Sequence, residues 1–388
     1  MKIKDVCSRF SSGDFISADK IYSFGNYPVY GGNGLRGYTD NYNFDGECAI
    51  IGRQGAYSGN VKFFSGKGHM TEHAIVAIGN ENNNTRFLAY KFGLMNLGRY
   101  AGQSAQPGLS VETLLNLDID LPSKDNQDKI ATVLSYLDNK ISLNKKINAT
   151  LEAMAKTLYD YWFVQFDFPD KNGKPYKTSG GKMIYNAELG REIPAGWKAR
   201  NLSDFVNIST ESINPMDSPE MVYEHYSIPA YDDKKFPSFE KGIDINSNKY
   251  SVKPCNILYA KLNPSFKRIW KPLCLTKNAI CSTEFIVLAP HEEKNYPYIY
   301  ATLNDEVFQM YMIKQSSSST GSRKRVQPDN CLSYTIILPD TKIISRFNKV
   351  YLNVLNRMNL LIIENQRLAT LRDWLLPILM NGQVRFKD

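Results

Sequence analysis

Residues 122–163 recur at 339–380, displaced by 217 positions and without a gap. No other feature limits the fold as much. Pro122 falls on Pro339 and Ser123 on Asp340. Ser and Asp are favourable helix N-caps, because a short side-chain oxygen accepts the orphan amides of a first turn. Behind each cap runs a stripe at alternating steps of four and three. It reads Ile130, Leu134, Leu137, Ile141, Asn144, Asn148, Leu151, Ala155, Leu158, Trp162 in the first copy. The second reads Phe347, Tyr351, Val354, Met358, Leu361, Asn365, Leu368, Arg372, Leu375, Leu379. A period of 3.5 is the seam of a coiled coil.

The spacing predicts a first helix over about 124–162, roughly 55–60 Å long at 1.5 Å per residue. A second helix over 340–380 is expected to stop or kink before Pro377, with Asn381-Gly382 as its exit. Neither helix can bury its stripe alone. Packing of each helix on the other is the economical solution, and an antiparallel pair would bring the two mid-helices together; the alternative is that each packs on its own domain. Asn148 and Asn365 are equivalent near mid-helix. They either meet as a register-fixing pair or face solvent.

The segments before the helices correspond more loosely. "KIKDVC" (2–7) answers to "ARNLSDFV" (199–206), and "MTEHAIVAIG" (70–79) to "STEFIVLAP" (282–290). "QSAQPGLSVETLLNLDIDLP" (103–122) answers to "STGSRKRVQPDNCLSYTIILP" (319–339). Short β-branched runs between Gly, Asn and Pro turns read as mixed strand and helix. The fold class is therefore α+β, two mixed α/β domains each followed by a long helix. The boundaries are a first domain over 1–122, a helix over 123–165 and a linker over 166–190 rich in Gly, Pro and Lys. A second domain over 191–339, a second helix over 340–380 and a tail over 381–388 complete the chain.

Charge and cysteine usage narrow the function. A net charge of +8 over 388 residues suits a nucleic-acid partner without resembling a basic tail. The start "MKIKDVCSRF" has no apolar h-region, and no apolar run is long enough to span a bilayer. The six Cys form no Cys-x-x-Cys pair and read as reduced thiols of a cytoplasmic protein.

Three motifs suggest chemistry and fail on context. "NPSF" (263–266) resembles the Asn-Pro-Pro-Phe/Tyr box of amino-methylating DNA methyltransferases. Its second Pro is Ser265, only one repeat copy has it, and no glycine-rich strand–turn–helix accompanies it. "GGNGLRG" (31–37) lies between "YPVY" and "GYTDNYNF", which predicts strand–turn–strand. "HMTEH" (69–73) fits an inverted zinc-peptidase pattern, but that chemistry needs a helix, and "AIVAIG" after it favours a strand. No catalytic constellation and no metal site are expected.

Two similar modules with a basic balance suit double-stranded DNA. Phosphate contacts call for Lys and Arg, base reading for Arg, Lys, Asn and Gln. The first half offers Arg36, Arg53, Gln54, Tyr57, Lys62, Arg99 and Gln103. The second offers Lys261, Asn263, Lys267, Arg268 and Trp270, with the basic run Arg323, Lys324, Arg325 inside "QSSSSTGSRKRVQ" (315–327).

The arrangement resembles the specificity subunits of type I restriction–modification systems. The segments that carry the likeness are 127–176, 179–204, "STEFIVLAP" (282–290), "ENQRLATLRDWLLPILMNGQV" (364–384) and "YPVYGGNGLRGY" (27–38). The chain departs from the family pattern in opening without a lead like "IPAGW" (193–197). The resemblance implies two target-recognition domains, each reading half of a split DNA sequence, and an antiparallel helical spacer on which two methyltransferase subunits dock. Restriction subunits complete the nuclease. It implies no catalysis and no cofactor in this chain: S-adenosylmethionine belongs to the methyltransferase partner, ATP and magnesium to the restriction partner. Two rivals remain, a recognition subunit of another restriction type with its own chemistry, and a coiled-coil scaffold that binds no DNA.

Overall fold

The computed structural model describes residues 1–55, 57–102, 108–316 and 324–384. They form two compact units, Met1–Leu143 with Asn365–Asp388, and Asn144–Glu364. Each unit holds one globular domain, part of the first long helix and part of the second.

In the first unit, β1 (Cys7–Ser12), β2 (Tyr27–Gly31), β3 (Gly34–Thr39), β4 (Phe44–Gly52), β5 (Val61–Met70) and β6 (Ala74–Gly79) form one sheet. Its order is β1-β6-β4-β5-β2-β3. Alternation along β4 sends Ala49 and Ile51 to one core and Cys48 and Ile50 to another. Both faces are therefore covered, which is why "CAIIG" is an unbroken apolar run. The first core is closed by the helix Thr85–Leu94 through Leu88, Ala89 and Phe92.

The second unit repeats the four strands that run from the β1 edge. Val206–Ser209, Phe285–Pro290, Ile257–Ala260 and Ile269–Trp270 lie side by side in the positions of β1, β6, β4 and β5. Alternation again divides the strand between two cores, Ile257 and Tyr259 to one, Leu258 and Ala260 to the other. What differs is the covering of the second face. The first unit uses β2 and β3, whereas the second inserts a five-stranded sheet that includes Val222–Tyr226 and Ala279–Ser282.

The two long helices, Lys124–Tyr159 and Thr341–Met380, pack against each other. In the first unit Ile130, Ala131 and Leu134 meet Leu379 and Met380, so the start of one helix lies beside the end of the other. Arg372 also donates to Asp138 there, at 2.8 Å. In the second unit Ala155 and Trp162 join Phe347, Tyr351 and Leu355 in one core. Both sets of contacts are antiparallel. Along the stripe, Ile130, Leu134 and Leu361 are buried; Leu137, Ile141, Asn148, Leu151, Leu158, Val354, Met358, Asn365, Leu368 and Leu375 are half-buried. The seam amide that reaches a side chain across the pair is Asn144, donating to Glu364 at 2.9 Å, while Asn148 takes the Met358 carbonyl at 3.5 Å.

Two expectations need correction in part. Of a stop or a kink at Pro377, the stop does not occur: the proline lies inside the second helix, which runs on to Met380. A proline loses one amide bond, and so near a helix end the loss is small. The exit is as expected: Gly382 takes φ +67°, its amide bonds Leu379 and that of Gln383 bonds Ile378. This 5→2 and 6→1 pair is a Schellman stop. The segment 166–190 is more than a linker. Phe166 and Phe168 are buried, and Phe168 stacks between Tyr176 and Trp197 at 4.7 and 4.9 Å. Its Gly, Pro and Lys residues form the turns around that aromatic anchor.

Candidate nucleic-acid interface

In the first unit the candidates gather where β4 ends. The loop after it, 53–60, is pinned by backbone bonds: Arg53 donates to the His73 carbonyl, and Leu109 donates to that of Arg53. A side-chain carbon on Gly52 would lie 2.3 Å from the Gly32 carbonyl oxygen and 2.6 Å from that of Tyr57. Glycine is therefore required for the loop to lie against the β2–β3 turn. That turn is the strand–turn–strand expected of "GGNGLRG", with Gly31 paired to Gly34.

Around this point Arg36, Gln54, Lys62 and Arg99 are exposed, and Tyr57 is 50% exposed. A carbon added to Gly34 would lie 2.5 Å from the Lys62 ammonium, so the lysine lies directly over the turn. Arg99 lies over the Tyr100 ring at 4.8 Å, an arrangement that holds a guanidinium without neutralising it. Arg53 is partly committed to the fold, donating to Ser12 and to the Leu109 carbonyl at 3.1 and 3.4 Å. Gln103 lies outside the described residues.

The second unit builds the same backbone frame. Lys261 donates to the Glu284 carbonyl, and Val326 donates to that of Lys261. Leu262 bridges Arg325 as Gln54 bridges Gly108. "NPSF" is thus the counterpart of the first unit's 53–60 loop. Asn263 is left-handed at φ +50° and donates its amide to the Lys324 carbonyl.

The side chains on this frame are used differently. Arg268 donates from Nε and Nη2 to both oxygens of Asp232, at 2.7 and 2.8 Å. That hydrogen-bonded pair holds the Asp232 carboxyl below the usual range. Arg325 grips Glu284 likewise, at 3.2 and 2.8 Å. Lys267 caps the Asn304 carbonyl at 3.0 Å. Lys324 is exposed, Lys261 is half-buried, and Arg323 lies outside the described residues.

Trp270 must be removed from the candidate surface. It is 4% exposed, with Tyr226 and Tyr231 edge-on to its ring at 4.8 and 5.3 Å. Reasoning from sequence also missed Phe266, which is 64% exposed and covered by the Arg268 guanidinium at 5.3 Å. Its place in "NPSF" was visible, but its exposure depends on the loop. The "HMTEH" segment is a strand end and a turn, with His69 in β5 and His73 leading into β6. Among the described residues no group of His, Cys, Asp or Glu is arranged to hold a metal ion, and no helix is long and apolar enough to cross a membrane.

Residues 1–153 match the family model for the type I restriction modification DNA specificity domain. The chain is 30% identical over 325 residues to the type I restriction enzyme MjaIX specificity subunit of Methanocaldococcus jannaschii, covering 78% of this chain and 70% of that one. It is 40% identical over 134 residues to the EcoprrI specificity subunit of Escherichia coli, covering 34% of this chain and 33% of that one. The HindI specificity subunit of Haemophilus influenzae is 24% identical over 340 residues, covering 72% and 71%. Among solved structures, the type I restriction–modification S subunit from M. genitalium shares the fold. Its TM-score is 0.67 at 15% identity, over 100% of this chain and 96% of that one.

Proposed function

The chain belongs to the family of type I restriction–modification specificity subunits, and on that premise we propose that it reads a split DNA sequence, one half with each domain. The observation that carries this reading is the repeated frame. Arg53, His73 and Leu109 in one unit, and Lys261, Glu284 and Val326 in the other, make the same backbone bonds around the same loop. A frame repeated with different side chains suits two reading heads for two different half-sites. Lysines and arginines supply phosphate attraction, and loop side chains supply base contacts.

The long helices act as the ruler between the heads, and their exposed faces take two methyltransferase subunits. The chain itself is non-catalytic. S-adenosylmethionine is held by the methyltransferase subunits, and restriction subunits bring ATP and magnesium chemistry. The division suits a frame whose backbone geometry is repeated in both units.

The test is a methylation map of host DNA with and without the gene. A split motif with two short specific halves, lost on deletion, is expected. A continuous motif, or an unchanged map, contradicts the proposal. One heptad inserted into each helix tests the ruler separately. It adds roughly 10 Å, about three base pairs of duplex, and should lengthen the unspecified gap while both halves stay the same.

A further inference from the structure

Arg325 and Glu284 form an unusual pair for a surface that meets a polyanion. A guanidinium has two edges that can each donate a pair of parallel bonds. Glu284 occupies the side edge, taking Nε at 3.2 Å and Nη2 at 2.8 Å. The far edge, Nη1 with the second hydrogen of Nη2, makes no hydrogen bond among the described residues, and the Arg325 side chain is 45% exposed. Arg268 has the same side-edge pairing, but its side chain is only 15% exposed.

Both members of the pair are fixed from below. The Glu284 carbonyl accepts the Lys261 amide, and the Lys261 carbonyl accepts the amide of Val326, which is buried beside Arg325. Arg325 itself bridges Leu262. The two backbones are thus held by the strand-end contacts, and the guanidinium plane by the two bonds to one carboxylate, which lowers the entropy lost on binding.

Such a pair is a poor phosphate ligand, because the carboxylate cancels the charge and repels the phosphate. It is a good ligand for a neutral base edge that presents two acceptors in one plane. Guanine offers N7 and O6 in that arrangement, whereas adenine replaces the second acceptor with an amino donor that opposes the guanidinium.

Resting on the reading of this domain as a DNA-recognition head, we propose that Arg325 reads a guanine through its N7 and O6, with Glu284 as the positioning residue that aims it. The requirement belongs to the half-site of the second domain alone. The corresponding position in the first unit is Gly108, which has no side chain to offer. The carboxylate in the corresponding turn, Glu72, instead meets His73 at 3.1 Å, and its Oε2 is buried without a hydrogen-bond partner.

The experiment is duplex selection from a randomised pool by the full chain in complex with its methyltransferase subunits. Wild type is compared with Arg325→Lys, Arg325→Ala and Glu284→Gln, and melting curves check that each variant folds. Wild type should demand guanine at one position of one half-site. Arg325→Ala should relax that position by roughly ten- to hundredfold, and Arg325→Lys, whose ammonium can still donate to guanine but lacks the planar fork, should relax it less, each leaving the other half-site intact. Glu284→Gln should relax the same position less. Three results would overturn the assignment: guanine preference retained in Arg325→Ala, uniform weakening at every sequence in Arg325→Ala that Arg325→Lys restores, or no change in any variant. The second would mark a phosphate contact, and the third an ion pair that serves only the fold. If wild type selects no split sequence at all, it is the recognition reading that fails.

Discussion

Lys62 and Trp270 occupy the same position in the repeated sheet. Lys62 pairs with Ile50 on β4, and Trp270 with Leu258 on the corresponding strand. One is exposed over a glycine turn, and the other is sealed in a core. The following residues reverse the pattern. Phe63 packs against the core of the first unit, whereas Lys271 reaches the Leu355 carbonyl of the second long helix at 2.9 Å. Polarity along these matched strands is inverted while the backbone frame stays the same. The difference comes from what covers each face. In the second unit Tyr226 and Tyr231 close over the side that the first unit leaves to the β2–β3 turn. A recognition scaffold can therefore keep its hydrogen-bonded frame and still exchange its surface.

The largest effect expected from this contrast is on folding. Trp270→Ala should destabilise the protein by about 3–5 kcal/mol, while Lys62→Ala should change stability by no more than about 0.5 kcal/mol. Urea unfolding of the two variants would measure it. Similar losses at both positions would break the comparison.

Lys271 provides the next test. Burial holds its amine down to about 8, against 10.5 for the free side chain. Between these values the unfolded chain carries the extra proton, so stability should rise with pH across that window and be lowest below about pH 8. Lys271→Met should flatten that rise, which is roughly 3 kcal/mol over the whole window. Parallel slopes for wild type and variant from pH 7.5 to 10 would contradict the assignment.

Smaller effects are expected at the surface. Arg36→Ala and Lys62→Ala should each lower the slope of log affinity against log salt by about one, and weaken binding alike for all sequences. Phe266→Ala should leave the melting temperature within a few degrees and reduce affinity at the second half-site. A sequence-dependent loss at Lys62 would mean that it reads bases and does not serve the phosphates.

The repeat was legible because its causes are local. Asp340 caps the second helix by accepting the Lys342 amide at 2.8 Å, and Gly382 ends it in the left-handed region. The glycine turn at 31–34 and the strand after "HMTEH" were equally plain. The side-chain uses were not, because their partners are distant in sequence. Arg268 finds Asp232 36 residues away, Arg325 finds Glu284 41 away, and Trp270 is buried by a strand that ends at Tyr226. Phe166 and Phe168 looked like linker because Trp197, which stacks on the latter, follows only beyond the hairpin of Met183–Asn186 and Arg191–Pro194.

The most direct test of the account is a methylation map after replacing residues 1–122 with the corresponding domain of another specificity subunit. The expected result is a new sequence in one half of the motif, with the other half and the gap unchanged. A change in both halves, or in neither, would contradict the claim that each domain reads its own half from a shared frame.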